Sequence, residues 1–165
     1  MRKVFSPEVL EELRASGWTP SRDVDISSWV TALAPEGYRV SGVAAEALRS
    51  FGGLMLGPIN VEGPNFSNDE PLNVDPVLAG FGHFALAEEL SRELGDVWYP
   101  LGEWLSSSSV FVGESGHVVA TGLGWIWELG ESVEEAVEFA LRAHRPLRCL
   151  RVLTPGGEPW PSENG

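Results

Sequence analysis

Cysteine, lysine and long apolar runs are what this sequence has least of. Cys149 is the only cysteine, which rules out an internal disulfide and a cysteine-rich zinc site. Set among Leu147, Arg148 and Leu150, it reads as a buried structural thiol. Lys3 is the only lysine, against ten arginines. No stretch approaches the roughly 18 uninterrupted apolar residues that a membrane helix needs. The opening MRKVFSPEVLEEL is too polar for a signal peptide, so a soluble cytoplasmic protein is expected.

Recognisable chemistry is also scarce. His83, His117 and His144 fall in three different segments, none with a partner at metal-ligand spacing. Ser106 to Ser109 lack a GxSxG elbow and read as a solvated loop before a strand. Carboxylates are abundant enough that some pair must approach acid/base distance, so their proximity carries no information. With no nucleophile–base or metal constellation, the expectation is a protein that is not an enzyme and takes no cofactor and no metal. An acidic pocket acting on a small cationic substrate is the enzyme alternative.

Basic residues are distributed unevenly. Residues 1–50 hold six basic and seven acidic side chains, and residues 142–165 hold four and two. Residues 51–141 hold fifteen acids against one base, Arg92, a net of −14 within a chain total of −13. Such a field repels nucleic acid and steers a basic partner inward. The plain alternative is solubility, although solubility alone is usually served by interspersed signs. Steering requires the carboxylates to stay unmated by arginines from the two ends of the chain.

At 165 residues and 43% hydrophobic content the chain fits one compact domain, residues 1–154, with a disordered Pro/Gly-rich tail at 155–165. Ser6, Pro7 and Glu8 open a helix that Gly17 stops. Asp25 caps a second, with Ile26, Trp29, Val30 and Leu33 at helical spacing, ended by Gly37. Ser41 opens a third, and Gly52–Gly53 close it. That pair allows a sharp reversal into an apolar strand, Leu54 to Leu56. A phosphate-binding loop runs the other way, from strand into helix. A turn-rich connection at 57–76 surrounds a short strand, Leu72 to Val74, and a helix is predicted over Val77 to Leu94.

Beyond Gly95 the period changes to two. Strands are predicted at Val97 to Leu101, Val110 to Val112, Val118 to Ala120 and Leu123 to Trp127, an antiparallel meander with GESGH as one turn. Ser132 and Glu135 form a capping box, and LRCLRVL can add a late strand. Of seven tryptophans, Trp18, Trp29, Trp98 and Trp125 or Trp127 fit apolar patterns. Trp104, between Glu103 and the serine run, falls in a predicted loop. It is either an exposed interface anchor or folded back over the sheet.

The ordered features together resemble a known family. They are Trp18, Pro20 and Arg22, then Trp29, the FGGL junction at Phe51 to Leu54, Asp75–Pro76, Pro100 to Gly102, the Gly116 to Val119 hairpin, and Gly130 with Ser132. This series is similar to the SUKH superfamily of bacterial immunity proteins, and most similar to its third group, common in actinobacteria. Arginine-rich usage suits a GC-rich genome. The likeness spans about residues 18–141. His117 stands where such proteins often carry arginine, and Arg145 to Leu153 lie outside the match.

The resemblance implies an α+β domain with a mixed, largely antiparallel sheet packed by helices. It also implies an immunity role in a polymorphic toxin system, binding and occluding a cognate toxin, often a nuclease or deaminase. The basic partner suggested by charge is compatible with that. On this reading Glu62, Asp69, Glu70, Asp75, Glu103 and Glu114 supply charge and Trp104 an anchor, with no nucleic acid or membrane as partner. A general adaptor or regulatory scaffold, as in yeast-type members of the superfamily, is the alternative.

Overall fold

The computed structural model describes residues 5–60 and 63–160. Helix α1 (Pro7–Ala15) begins where Ser6 accepts a hydrogen bond from the Val9 amide, with Pro7 in the first turn. Helix α2 (Ser27–Leu33) continues into a single 3-10 turn, Ala34–Glu36, that Gly37 ends at φ +113°. Asp25 does not cap α2 as expected. The cap position is Ile26, although the Asp25 carboxylate still accepts from the Ser27 amide at 2.9 Å. Helix α3 (Gly42–Phe51) is capped by Ser41.

The Gly52–Gly53 junction works by close packing. A Cβ on Gly52 would meet the Trp29 ring at 2.5 Å, and Gly53 sits at φ +84°, a conformation that costs glycine little. Its amide donates to the Val74 carbonyl at 2.7 Å, which ties the end of α3 to the sheet.

That sheet has seven strands in the order of the chain: β1 (Met55–Leu56), β2 (Leu72–Asn73), β3 (Trp98–Trp104), β4 (Ser108–Gly113), β5 (Val118–Thr121), β6 (Trp125–Gly130) and β7 (Arg148–Val152). Every pairing is antiparallel, so the expected meander extends to the whole sheet and its mixed character reduces to a purely antiparallel one. The α+β expectation holds. Helices cover both faces, which is why the inner strands are apolar almost throughout instead of alternating. Helices α3 and α6 (Val133–Arg142) cover one face, above Leu101, Val110, Val118 and Leu129. On the other face Phe111 and Tyr99 pack with Tyr38 and Phe84, the latter in α5 (Phe84–Leu94).

The helix expected over Val77 to Leu94 is two helices, α4 (Pro76–Gly80) and α5. Gly80 lies so close to the Pro100 ring that a Cβ would clash at 2.5 Å, and Gly82 takes φ +79°. The Tyr38 hydroxyl donates to the Gly80 carbonyl at 2.8 Å, and the Gly82 amide donates to Glu36 at 2.7 Å. These contacts turn the chain and hold the turn against its neighbours.

Residues 155–160 lie back across β6, where Trp160 stacks on Trp125 with ring centroids 6.5 Å apart. Residues 161–165, the rest of the tail predicted to be disordered, lie outside the described residues. No helix among the described residues is long and apolar enough to cross a membrane.

Candidate partner-binding surface

The structure buries one of the mid-chain acids and gives several others partners within the protein. Glu138 is buried on α6. It accepts from the Ser6 amide at 2.9 Å, the Ser6 hydroxyl at 2.7 Å and Arg142 at 2.8 Å. Burial alone would raise its pKa, but the hydrogen bonds from Arg142 and Ser6 outweigh it and hold the carboxyl below its usual range. Glu128 pairs with Arg148 at 3.1 Å and faces His117 at 3.5 Å, while Glu93 faces Arg151 at 3.8 Å. Three arginines of the C-terminal segment thus mate with three of the fifteen acids. To that extent the uniform negative field read from composition is corrected.

Other acids serve the backbone. Asp75 caps α4 by accepting from the Val77 and Leu78 amides. Asp96 accepts from the amides of Val97, Glu114 and Ser115 and so clamps the β4–β5 turn. Desolvation opposes its charge, yet these hydrogen bonds prevail and depress its pKa. Glu70 accepts from the Ser106 amide at 2.6 Å, which pins the β3–β4 turn.

The proposed charge carriers therefore divide. Glu103, opposite Asn73 and Ser109 in the sheet, stands with Asp69 and Glu70 near the β3–β4 turn, and Asp75 follows β2 directly. Glu114 sits at the far end of the same hairpin, where Trp98 pairs with Gly113. That is roughly 17 Å away at about 3.4 Å per strand residue. Glu62 lies outside the described residues.

Trp104 is not an exposed anchor. It is the last residue of β3 and 2% exposed, packed among Phe66, Trp127 and Phe139. Its neighbours Ser108 and Ser109 are buried too, in β4, where Ser109 donates to the Ala79 carbonyl of α4 at 3.2 Å. Only Ser106 and Ser107 form the solvated turn expected of the whole serine run, at φ +59° and +62°.

A family model for the SUKH-3 immunity proteins matches residues 5–142. The chain belongs to the SUKH-3 immunity protein family. No curated protein and no solved structure matches it. The SUKH-3 match ends at Arg142, so β7 and its arginines lie beyond the matched region. Immunity function, and with it a toxin as partner, comes with membership.

Sequence reasoning missed an open groove of about 530 Å³ in this SUKH-3 domain, between α1, α3, the start of α6 and the β4–β5 turn. Its apolar lining is Phe5, Leu10, Trp18, Val43, Phe51 and Val133. Trp18 and Phe51 stack with centroids 6.0 Å apart, and Phe5 meets both edge-on. A signal was present in the sequence: Trp18, Pro20, Arg22, Phe51, Gly116 and Ser132, all residues that carry the family likeness, meet in this groove. Among the described residues no group of three or more His, Cys, Asp or Glu side chains could hold a metal ion.

Proposed function

We propose that this SUKH-3 protein neutralises a cognate toxin that acts on nucleic acid, binding it and covering its basic working surface with no bond made or broken. The observation that supports this is family membership together with exposed carboxylates that pair with no cation among the described residues, Asp69 and Glu114 foremost. Glu70 and Glu103 add charge beside Asp69. Asp75 adds charge while serving as a helix cap, and Glu62 joins by its position in the sequence. A surface shaped for phosphate is basic, and an acidic inhibitor competes for it directly. Exposed ion pairs contribute only about 0.2–1 kcal/mol each, so tight occlusion also needs a desolvated apolar contact. The protein acts in the cytoplasm of an actinobacterial producer, ahead of its own toxin.

The test is co-expression with the toxin encoded beside its gene. Survival of the host and a complex that co-elutes on gel filtration are the expected results. Cell death with the two proteins eluting separately would refute the proposal.

A further inference from the structure

The groove between α1, α3 and α6 combines three properties. Its floor is aromatic and aliphatic. Part of its polar lining is spent, while Asp23, Glu46 and Arg49 line it as well: the Trp18 Nε1 donates to the Ser50 hydroxyl at 3.0 Å, and the two Arg22 nitrogens donate to the carbonyls of Ser50 at 2.8 Å and Gly52 at 2.7 Å. One wall is acidic. Glu134 lines it beside Ser132 and Gly116, with Glu131 and Glu114 adjoining in sequence. The β4–β5 turn and the residue before α6 touch there, since a Cβ on Gly116 would lie 3.5 Å from the Glu131 carbonyl. Among the described residues, no cation pairs with these three carboxylates.

Each property narrows the occupant. A small-molecule site of this size, within the roughly 300–1,000 Å³ range of ligand pockets, needs convergent polar groups to fix orientation. Here those on Trp18 and Arg22 are already satisfied. Nucleic acid is repelled by the glutamates. What fits an apolar trough with a negative wall is a protein segment with a large apolar side chain buried in the trough and arginine or lysine beside it.

We propose that this groove is the anchor site for the toxin, taking a segment in which a bulky apolar residue is flanked by cationic ones. The proposal rests on the immunity reading above and adds the desolvated contact that exposed charge alone cannot supply. The anchor first expected at Trp104 is thereby relocated: the protein offers the pocket and the toxin offers the anchor.

Two variants separate filling the groove from reversing its wall: Val43→Trp, at a partly exposed position on α3, and Glu134→Lys, in the first turn of α6. Glu88→Lys, at an exposed position on α5 outside the groove lining, serves as the distant comparison. Dissociation constants are measured by calorimetry against the purified toxin from the adjacent gene, inactivated in its catalytic residue, with circular dichroism and thermal melts confirming each fold. Both groove variants are expected to weaken the complex at least tenfold, and Glu88→Lys less than threefold. If the wild-type protein binds no toxin, the immunity reading falls and this proposal with it. If the wild type binds and both groove variants bind equally well, only the groove assignment is overturned. Glu134→Lys leaves the groove's shape intact, so a folding defect in Val43→Trp would not remove the test.

Discussion

Glu138 shows how one residue joins distant parts of the chain. It sits in the last two turns of α6, yet it holds the cap residue of α1, 132 positions earlier. Replacing it with glutamine leaves Arg142, 17% exposed, facing a neutral partner; one-sided loss of a buried ion pair costs about 3–5 kcal/mol. Because that arginine keeps some water, Glu138→Gln is expected to lose about 2–3 kcal/mol at pH 7 in urea titrations. The carboxyl is depressed from an ordinary value of 4.5, so its contribution is fully present above that pH and disappears as pH falls through the depressed value. The gap between wild type and variant should therefore close in acid. A gap that persists at pH 2 would show that glutamine strains the packing instead. Single residues were legible in the sequence where a local rule governs them, as with Ser6, Ser41 and Ser132 at their helix starts. Trp104 was not legible. Its sequence neighbours are polar, whereas the rings that bury it come from residues 66, 127 and 139.

Elements were legible where one periodicity ran without interruption, as in α3, α6 and the β4–β5 hairpin. The break between α4 and α5 escaped because its causes are tertiary: the Pro100 ring against Gly80, and the Tyr38 hydroxyl on its carbonyl. The last described segment is a similar case. Composition marked residues 155–165 as a tail, and nothing local indicates that Trp160 lies against Trp125 and Trp127 and accepts the Trp127 Nε1 hydrogen bond at 2.5 Å. Such a strap packs against two rings of β6. Trp160→Ala should cost about 0.5–1.5 kcal/mol in a thermal melt, the range for aromatic pairs, and shift tryptophan emission to the red as Trp125 becomes wet. An unchanged spectrum and melt would mean that the strap contributes nothing in solution.

For the whole molecule, the charge balance was legible in the sequence but its disposition was not. Composition alone counted fifteen acids and one base across residues 51–141. Arg142 meets Glu138 one turn away within α6, and folding brings Arg148 and Arg151 back onto Glu128 and Glu93, because β7 lies beside β6 and within reach of α5. Two parts of the surplus that survives lie at the ends of the β3–β4 hairpin, Asp69, Glu70 and Glu103 at one and Glu114 with the groove wall at the other, while Glu88 and Glu89 stand on α5. A field from two poles still attracts a basic body, but only before contact. It acts on the rate of encounter, and salt screens it over about 10 Å at 0.1 M. The association rate with the toxin should therefore fall roughly tenfold or more between 20 mM and 500 mM salt by stopped-flow, while the dissociation rate, set by the apolar groove, changes little. The reverse pattern, a flat association rate with a salt-sensitive dissociation rate, would leave no role for steering.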